Sequence, residues 1–251
     1  MRAGLLILLL ASGCKRDAAP PGTLFSQVKQ TLADRDARLT SYHLAGETTE
    51  GAEHARHEFF FRSPNKMRAA LRGPLQLEWS FDGARVYGLA GPSKTFTTYE
   101  LKLPPDQAAA LLHSKFSPFV LEGFRTPLMP MKAVTATLRP HPRGPQAVEL
   151  KVEPGDGVTV TYVLRWPGAD FLERRGEADA GTSELKVEAE QCDEKLKLCV
   201  PTLAAEYFDG KRLLTIRLTT VELNVDIGAE EFTPQVPAGW TTEVKRVVEE
   251  Q

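Results

Sequence analysis

The first residue of the chain with distinctive covalent chemistry is Cys14, which follows an apolar run in the stretch LLILLLASGCKRD. Arg2, the apolar residues 5–10 and the small residues 11–13 follow the order of a secretory signal. The run is much shorter than the roughly 20 residues that a helix needs to span a bilayer. We therefore predict that residues 1–13 are a signal peptide.

The four residues ASGC at the end of this signal resemble the bacterial lipobox, in which the cysteine is acylated and becomes the first residue of the mature chain. This resemblance predicts a lipoprotein that is lipidated at Cys14, a modification that holds a protein on a membrane stably when two or more chains are attached. It places the protein on the periplasmic face of a bacterial membrane, and we assign it to the outer membrane. Residues 14–22 are small, charged or proline-rich and predict a tether. The alternative is an ordinary signal followed by an incidental cysteine.

The other two cysteines, Cys192 and Cys199, lie in the stretch EQCDEKLKLCVP. An even pair of cysteines in an exported chain predicts a disulfide, here one that joins the two strands of a hairpin. The alternative, a zinc site, needs further ligands close by, and no histidine follows His141. We predict a disulfide and no metal.

His54 and His57, in the stretch HARH, are the histidines whose spacing invites a metal interpretation. On a strand, residues three apart point to opposite faces, so this pair is poorly placed to chelate one ion. The sequence also contains no G-x-S-x-G, P-loop, H-E-x-x-H or dinucleotide motif. We predict a protein that is not an enzyme and that uses no cofactor.

The charge balance argues against nucleic acid as a partner. Without the signal peptide the chain has 238 residues, with 30 Lys and Arg against 33 Asp and Glu. A slightly negative chain has no general attraction for nucleic acid or anionic lipid. We predict a single domain over residues 23–251 that recognises its partners by shape and apolar surface.

The elements that must position any site are a first helix and a series of strands. Residues 23–38 have apolar side chains at helical spacing. The clearest strand is LQLEWSF, in which apolar residues alternate with polar Gln76, Glu78 and Ser80, so we expect one apolar face and one wet face. Asp82-Gly83 predicts a tight turn to a partner strand. Similar stretches elsewhere raise the number of predicted strands to roughly ten. These stretches are RHEFFFR, KMRAALR, ARVYGLA, KAVTATL, AVELKVE, VTVTYVLRW, SELKVEAE and RLLTIRLTTVELNV.

A strongly apolar segment over residues 104–131 interrupts this alternation. It opens with prolines and contains an alanine and leucine run, both of which favour helix. Pro118 is expected to kink or split it. A helical segment this apolar must bury itself against the sheet, or against something that the sheet holds.

Three stretches resemble the bacterial outer-membrane lipoprotein carrier (LolA/LolB-like) superfamily. FFFRSPNKMRAAL is similar to a strand pair near the start of that family, and SFDGARVYGL to its next pair. The closing stretch TTVELNVDIGAEEFTPQVPAGWTTEV resembles the family's final pattern of Asn, Phe, Pro and Gly. The family's Arg-Pro dipeptide is split here into Arg62-Ser63-Pro64, so the motif that would carry a ligand-gating role over to Arg62 is not intact.

The resemblance implies an α+β fold, in which an incomplete β-barrel of about 11 antiparallel strands is covered by helices over an apolar concave face. It also implies that this cavity binds the acyl chain of a lipid or lipoprotein, as carrier or receptor, without covalent chemistry. The cavity candidates are Leu75, Leu77, Trp79 and Phe81 on the sheet, with Leu111, Leu112, Phe116 and Phe119 in the covering helices. The alternative is that these residues fill an ordinary core, and that the chain is an envelope scaffold or sensor that binds a protein partner.

Overall fold

The computed structural model describes residues 21–73, 76–101, 133–155 and 158–247. One α-helix, α1, spans Pro21–Arg38, and a 3-10 turn spans Ala229–Phe232. The strands are β1 (Ser41–Glu50), β2 (Glu53–Arg62), β3 (Lys66–Arg72), β4 (Leu77–Phe81), β5 (Val86–Ala90), β6 (Thr95–Leu101), β7 (Ala133–His141), β8 (Gly144–Gly155), β9 (Val158–Arg165), β10 (Asp170–Ala178), β11 (Gly181–Asp193), β12 (Leu198–Phe208), β13 (Lys211–Leu223) and β14 (Thr241–Val247). Neither helical element among the described residues is long and apolar enough to cross a membrane.

All 14 strands belong to one open sheet, in the order β14-β6-β5-β4-β3-β2-β1-β13-β12-β11-β10-β9-β8-β7. Neighbouring strands are antiparallel, with the exception of β14, which pairs in parallel with β6. β1 pairs with β13 at the centre of the sheet. We call β1 to β6 together with β14 the first wing, and β7 to β13 the second wing. An open sheet that ends in β14 and β7 is compatible with an incomplete barrel.

The predicted α+β class, with helices covering the concave face, is wrong for the described residues. They form a sheet of 14 strands, not about 11, together with a single α-helix. The predicted helical segment at residues 104–131 lies outside the described residues. Nine of the strands correspond to stretches that the alternation predicts, and the extra ones are β1, β6, β10, β12 and β14.

Three of the extra strands, β10, β12 and β14, have sequences that hide their alternation. β12 contains Pro201 and an Ala-Ala pair, while β10 and β14 carry several charges each. These residues are unfavourable for strands when each is considered alone. Pairing with a neighbour supplies the backbone hydrogen bonds that hold such segments in a sheet, and a single sequence does not display that pairing.

The first helix agrees with its prediction. Its apolar side chains Leu24, Phe25, Val28 and Leu32 are buried. They form a cluster with residues of β7 to β13, including Val148, Leu150 and Leu164. We call the face of the sheet that carries α1 the inner face and the opposite face the outer face. The helix therefore covers the inner face of the second wing.

A second apolar cluster occupies the inner face of the first wing. Ile216 belongs to the helix cluster and Leu218 to the second cluster, and the two lie two residues apart on β13, on one face. Leu39, directly after α1, also joins the second cluster. The two clusters are thus neighbours along one inner face.

Candidate functional site

The second cluster is built from cross-strand rows of side chains on the inner face. Residues directly opposite one another in neighbouring strands share a face, so the register identifies the rows. The first row is almost wholly aromatic or apolar and buried, and consists of Leu223, Tyr42, Phe61, Met67, Phe81 and Val86. Tyr42 stacks on Phe61 with ring centroids 5.0 Å apart. This row forms the closed end of the apolar face.

The second row brings two half-buried aromatic rings together over a glycine. It consists of Val221, Leu44, Phe59, Ala69, Trp79 and Gly88. A Cβ atom at Gly88 would lie 3.0 Å from Cζ3 of Trp79 and 3.2 Å from Cε2 of Tyr99. The absence of a side chain at Gly88 therefore lets these rings approach to a centroid distance of 5.4 Å. Trp79 and Tyr99 form an aromatic pair at the border of the cluster.

The third row is more open and contains a histidine. It consists of Gly46, His57, Leu71, Leu77 and Ala90. Leu71 and Leu77 are half-buried, whereas Phe81 in the first row is 1% exposed. Burial lowers the pKa of His57 to about 4, so its imidazole is neutral at neutral pH. The third row is the end of the inner face at which solvent has most access.

The structure brings together those predicted cavity residues that it describes. Leu77, Trp79 and Phe81 lie on the inner face of β4, as their alternation predicts. Leu75, Leu111, Leu112, Phe116 and Phe119 lie outside the described residues, as does Cys14. The alternation predicts a strand that contains three consecutive phenylalanines, but it does not indicate which face each of them occupies. The register puts Phe59 and Phe61 on the inner face and Phe60 on the outer face.

The other face of β4 differs from its prediction, because Glu78 and Ser80 are buried rather than wet. Residues 224–240, which we call the C-terminal strap, cross the outer face between β13 and β14. The Oγ of Ser80 donates a hydrogen bond to the carbonyl oxygen of Phe232 at 2.6 Å. Arg62 Nη1 donates to the carbonyl oxygen of Ile227, also at 2.6 Å. Arg62 therefore holds the strap and does not reach the inner face.

The buried carboxylate of Glu78 is neutralised by two arginines. Arg68 Nε and Arg72 Nη2 donate to its two oxygens at 3.0 and 2.9 Å. Arg68 Nη1 also donates to Glu231 of the strap at 2.6 Å. Burial lowers the pKa of Arg68, but the hydrogen bond and charge of Glu78 more than offset it, so the pKa of Arg68 is raised. Beside this network, the strap and the sheet enclose a cleft of about 420 Å³ that Trp240 also lines.

His54 and His57 lie on opposite faces of β2, as their spacing predicts. His57 is buried on the inner face, whereas His54 is exposed and lies 3.1 Å from the hydroxyl of Thr49. Within the described ranges, no group of three or more His, Cys, Asp or Glu residues is arranged to hold a metal ion.

The predicted disulfide is present between Cys192 and Cys199, which face each other in the β11–β12 hairpin. Their Cα atoms are 4.0 Å apart. The bridge lies at the end of β11, just before the tip of the hairpin. Leu196 and Leu198 extend from that tip and the start of β12 into the second apolar cluster.

Comparison with known proteins identifies the fold. The sequence matches no protein family model, and no curated protein is similar to it at a significant level. The structure is similar to an outer membrane lipoprotein-sorting protein domain from Vibrio parahaemolyticus, with a TM-score of 0.57 at 9% identity, over 83% of this chain and 97% of the other. A DUF1329 family protein from Desulfovibrio piger has the same TM-score at 10% identity, over 85% of this chain and 97% of the other.

A LolA superfamily protein from Nitrosomonas europaea aligns over 85% of this chain and 97% of its own, at 9% identity and a TM-score of 0.49. The similarity is one of backbone architecture, since identities near 10% retain little of the side-chain pattern. With its single open sheet and its first helix on the inner face, the chain has the fold of the outer membrane lipoprotein-sorting protein domain, so the resemblance to lipoprotein carriers is confirmed at the level of the fold.

Proposed function

We propose that this protein is a lipid-anchored lipoprotein of the bacterial cell envelope that binds an acyl chain of a lipid or lipoprotein on the inner face of its first wing. It acts as a carrier or receptor, without covalent chemistry. The observation that supports this proposal best is the set of cross-strand rows, which run over β13, β1, β2, β3, β4 and β5 and hold mainly apolar side chains.

The proposed path of the acyl chain runs from the third row towards the first. Leu77 and Leu71 lie at the accessible end, and the Trp79–Tyr99 pair borders the path. Burying a chain of about 16 carbons contributes on the order of 10 kcal/mol before ordering costs, at about 0.8 kcal/mol per methylene. That is enough to displace two or three apolar side chains, each of which contributes about 2 kcal/mol. The neutral ring of His57 adds no charge that an apolar chain would have to bury.

Trp79 provides a direct test, because a bromine atom quenches tryptophan fluorescence only at short range. Trp166 and Trp240 are replaced by Phe, so that Trp79 is the only tryptophan left of the three. Titration with palmitate brominated along its chain should quench this emission in a saturable way, and unbrominated palmitate should reverse the quenching. A protein that retains only Trp240, which lines the outer cleft, is the matched control and should not be quenched.

A second candidate function is an envelope scaffold or sensor that binds a protein partner. The observation that favours it is the burial of Tyr42, Phe59 and Phe61, each at most 1% exposed, which is what a face filled by its own side chains requires. Purification without detergent followed by lipid mass spectrometry separates the two functions. Co-purified acyl species support the carrier. An absence of acyl species, together with no saturable quenching of Trp79, supports the scaffold.

The cavity candidates Leu112 and Phe116 give an independent test. We propose that Leu112→Asp or Phe116→Asp impairs binding of a fluorescent fatty acid in a protein that remains folded by circular dichroism, because a charged group against an acyl chain opposes its burial. Phe59→Asp is the control and should unfold the protein, since it buries a charge at a position that is 0% exposed. Leu112 and Phe116 variants that are as unstable as Phe59→Asp would argue that these residues fill an ordinary core.

A further inference from the structure

The two sulfurs of the Cys192–Cys199 bridge have different surroundings. Cys192 is exposed at the end of β11, whereas Cys199 is half-buried on β12. The backbone N–H of Cys199 donates to Oδ1 of Asp170 at 2.9 Å, which fixes the position of this residue. An incoming reagent therefore has better access to Cys192 than to Cys199.

A guanidinium group contacts the less exposed sulfur. Arg165 Nη1, at the end of β9, donates to Sγ of Cys199 at 3.2 Å. Arg165 also pairs with Glu190 through Nη2 and with Asp170 at 3.5 Å, and its Nε donates to the carbonyl oxygen of Arg143 at 3.1 Å. The arginine is thus held in place next to the sulfur by groups from three neighbouring elements.

Arg165 is the cation that contacts Sγ of Cys199. Asp170 and Glu190 pair with Arg165, and Arg143 also pairs with Glu190. A positive group in direct contact with the sulfur is the feature that stabilises cysteine thiolates.

We propose that the Cys192–Cys199 bridge is a site of thiol–disulfide exchange, at which an external thiolate attacks Cys192 and Cys199 leaves as a thiolate beside Arg165. The attacking sulfur forms a new S–S bond to Sγ of Cys192, and the electron pair of the old bond passes to Sγ of Cys199. A second external thiolate releases the small disulfide and leaves Cys192 as a thiolate. Alternatively, the Cys199 thiolate returns and expels the first reagent.

The β11–β12 hairpin has contacts that do not depend on the disulfide bond. Residues 189–193 of β11 remain paired with β12 by their backbones, and Arg38 of α1 donates to the carbonyl oxygen of Leu196 at 3.2 Å. Leu198 and Val200 are anchored in the apolar cluster. With these contacts retained, the sulfurs stay near each other after reduction, and the bridge can form again.

The test uses reduced glutathione on the folded, oxidised protein, with trapping at low pH and peptide mapping. The expected product carries glutathione on Cys192 and a free thiol on Cys199. Arg165→Met should slow the reaction at least about threefold, because a leaving thiolate of higher basicity leaves more slowly. Arg143→Met removes a cation of the same cluster that does not contact the sulfur, and should change the rate much less. Glutathione on Cys199, or equal rates in wild type and Arg165→Met, would overturn the proposal.

Two further variants keep the test decisive if Arg165→Met fails to fold. Cys192→Ser leaves Cys199 as a free thiol, and Cys199→Ser leaves Cys192. At neutral pH, Cys199 should be alkylated by iodoacetamide faster than Cys192, although it is the less exposed of the two. A purely structural bridge predicts the opposite order, in which exposure alone decides the rate, and that result would refute the exchange site.

Discussion

At the scale of single residues, tertiary context gives identical residue types different chemistry. His54 and His57 are neighbours on β2, but one is exposed and the other lies in an apolar row between Gly46 and Leu71. The same holds for the arginines of α1, since Arg35 is 1% exposed whereas Arg38, three residues later, is exposed. Burial lowers the pKa of Arg35 as it does that of His57.

His57 gives a prediction about pH. Its folded-state pKa of about 4 lies below the ordinary value of 6.5, so the unfolded chain binds a proton first as the pH falls. The stabilising contribution of the neutral ring is complete above pH 6.5 and is lost as the pH falls towards 4, by up to about 3 kcal/mol. We therefore expect the stability of wild type relative to His57→Gln to be lower at pH 4.5 than at pH 7. Free energies of unfolding from urea titrations at the two pH values measure this difference. His54→Gln is the exposed control and should show no such shift.

The raised pKa of Asp170, which results from burial, acts in the opposite direction near pH 4. It is present in wild type and in both histidine variants, so it cancels in the difference. If the free energies of unfolding of wild type and His57→Gln differed by the same amount at both pH values, the assignment of a neutral, buried His57 would be contradicted.

At the scale of elements, the C-terminal strap accounts for polar residues that the alternation of β4 assigns to solvent. Asn224 begins the strap, and its side chain accepts from the backbone N–H of Thr40 at 2.8 Å and donates to the carbonyl oxygen of Arg38 at 2.9 Å. Phe232 is completely buried, with the guanidinium of Arg62 5.8 Å from its ring centroid. The Asn and Phe of the closing sequence pattern are therefore the anchors of a segment that crosses the outer face.

We expect Phe232→Ala to destabilise the protein by about 3–5 kcal/mol, because it removes a fully buried ring and leaves a cavity under the strap. Val236→Ala is the matched control on the same segment. Val236 is 46% exposed, so its truncation should change the free energy of unfolding by less than about 0.5 kcal/mol. Urea denaturation measures both. Equal effects of the two substitutions would mean that the strap is not held by Phe232.

At the scale of the whole molecule, one face of a single sheet is divided between two apolar clusters. The helix α1 packs against the β7–β13 wing, and the rows of the proposed acyl site lie on the other wing and on β13. The first helical residue described is Pro21, at the end of the proposed tether, which spans residues 14–22. A lipid anchor at Cys14 would therefore attach to the molecule through the helix that covers the second wing.

The anchor is tested by Cys14→Ser. We expect this variant to leave the membrane fraction of cells, or to accumulate with its signal peptide uncleaved, because two or more acyl chains are needed for stable attachment. Cell fractionation with mass spectrometry of the product measures both outcomes. A variant that stays in the membrane fraction at the wild-type mature mass would contradict lipidation at Cys14.

The elements that could be predicted from the sequence are those whose signal is short-range. The 3.6-residue periodicity of α1, the alternation of nine strands, the Asp82-Gly83 turn and the cysteine pair all depend on residues close together in the chain. Asp82 shows this directly, since its carboxylate accepts from the backbone N–H groups of Ala84 and Arg85 at 2.8 Å. Such interactions form within a few residues and leave a readable pattern.

Four features could not be predicted from the sequence: the number of strands, the pairing of β1 with β13, which of His54 and His57 is buried, and the burial of Glu78 and Ser80. Each of these depends on contacts between residues far apart in the chain. Glu78 is buried because Arg68 and Arg72 neutralise it and the strap covers it, and the pattern of β4 contains neither fact. The physical reason is that burial and charge pairing are properties of both surfaces that meet, whereas a strand's own sequence describes only one of them.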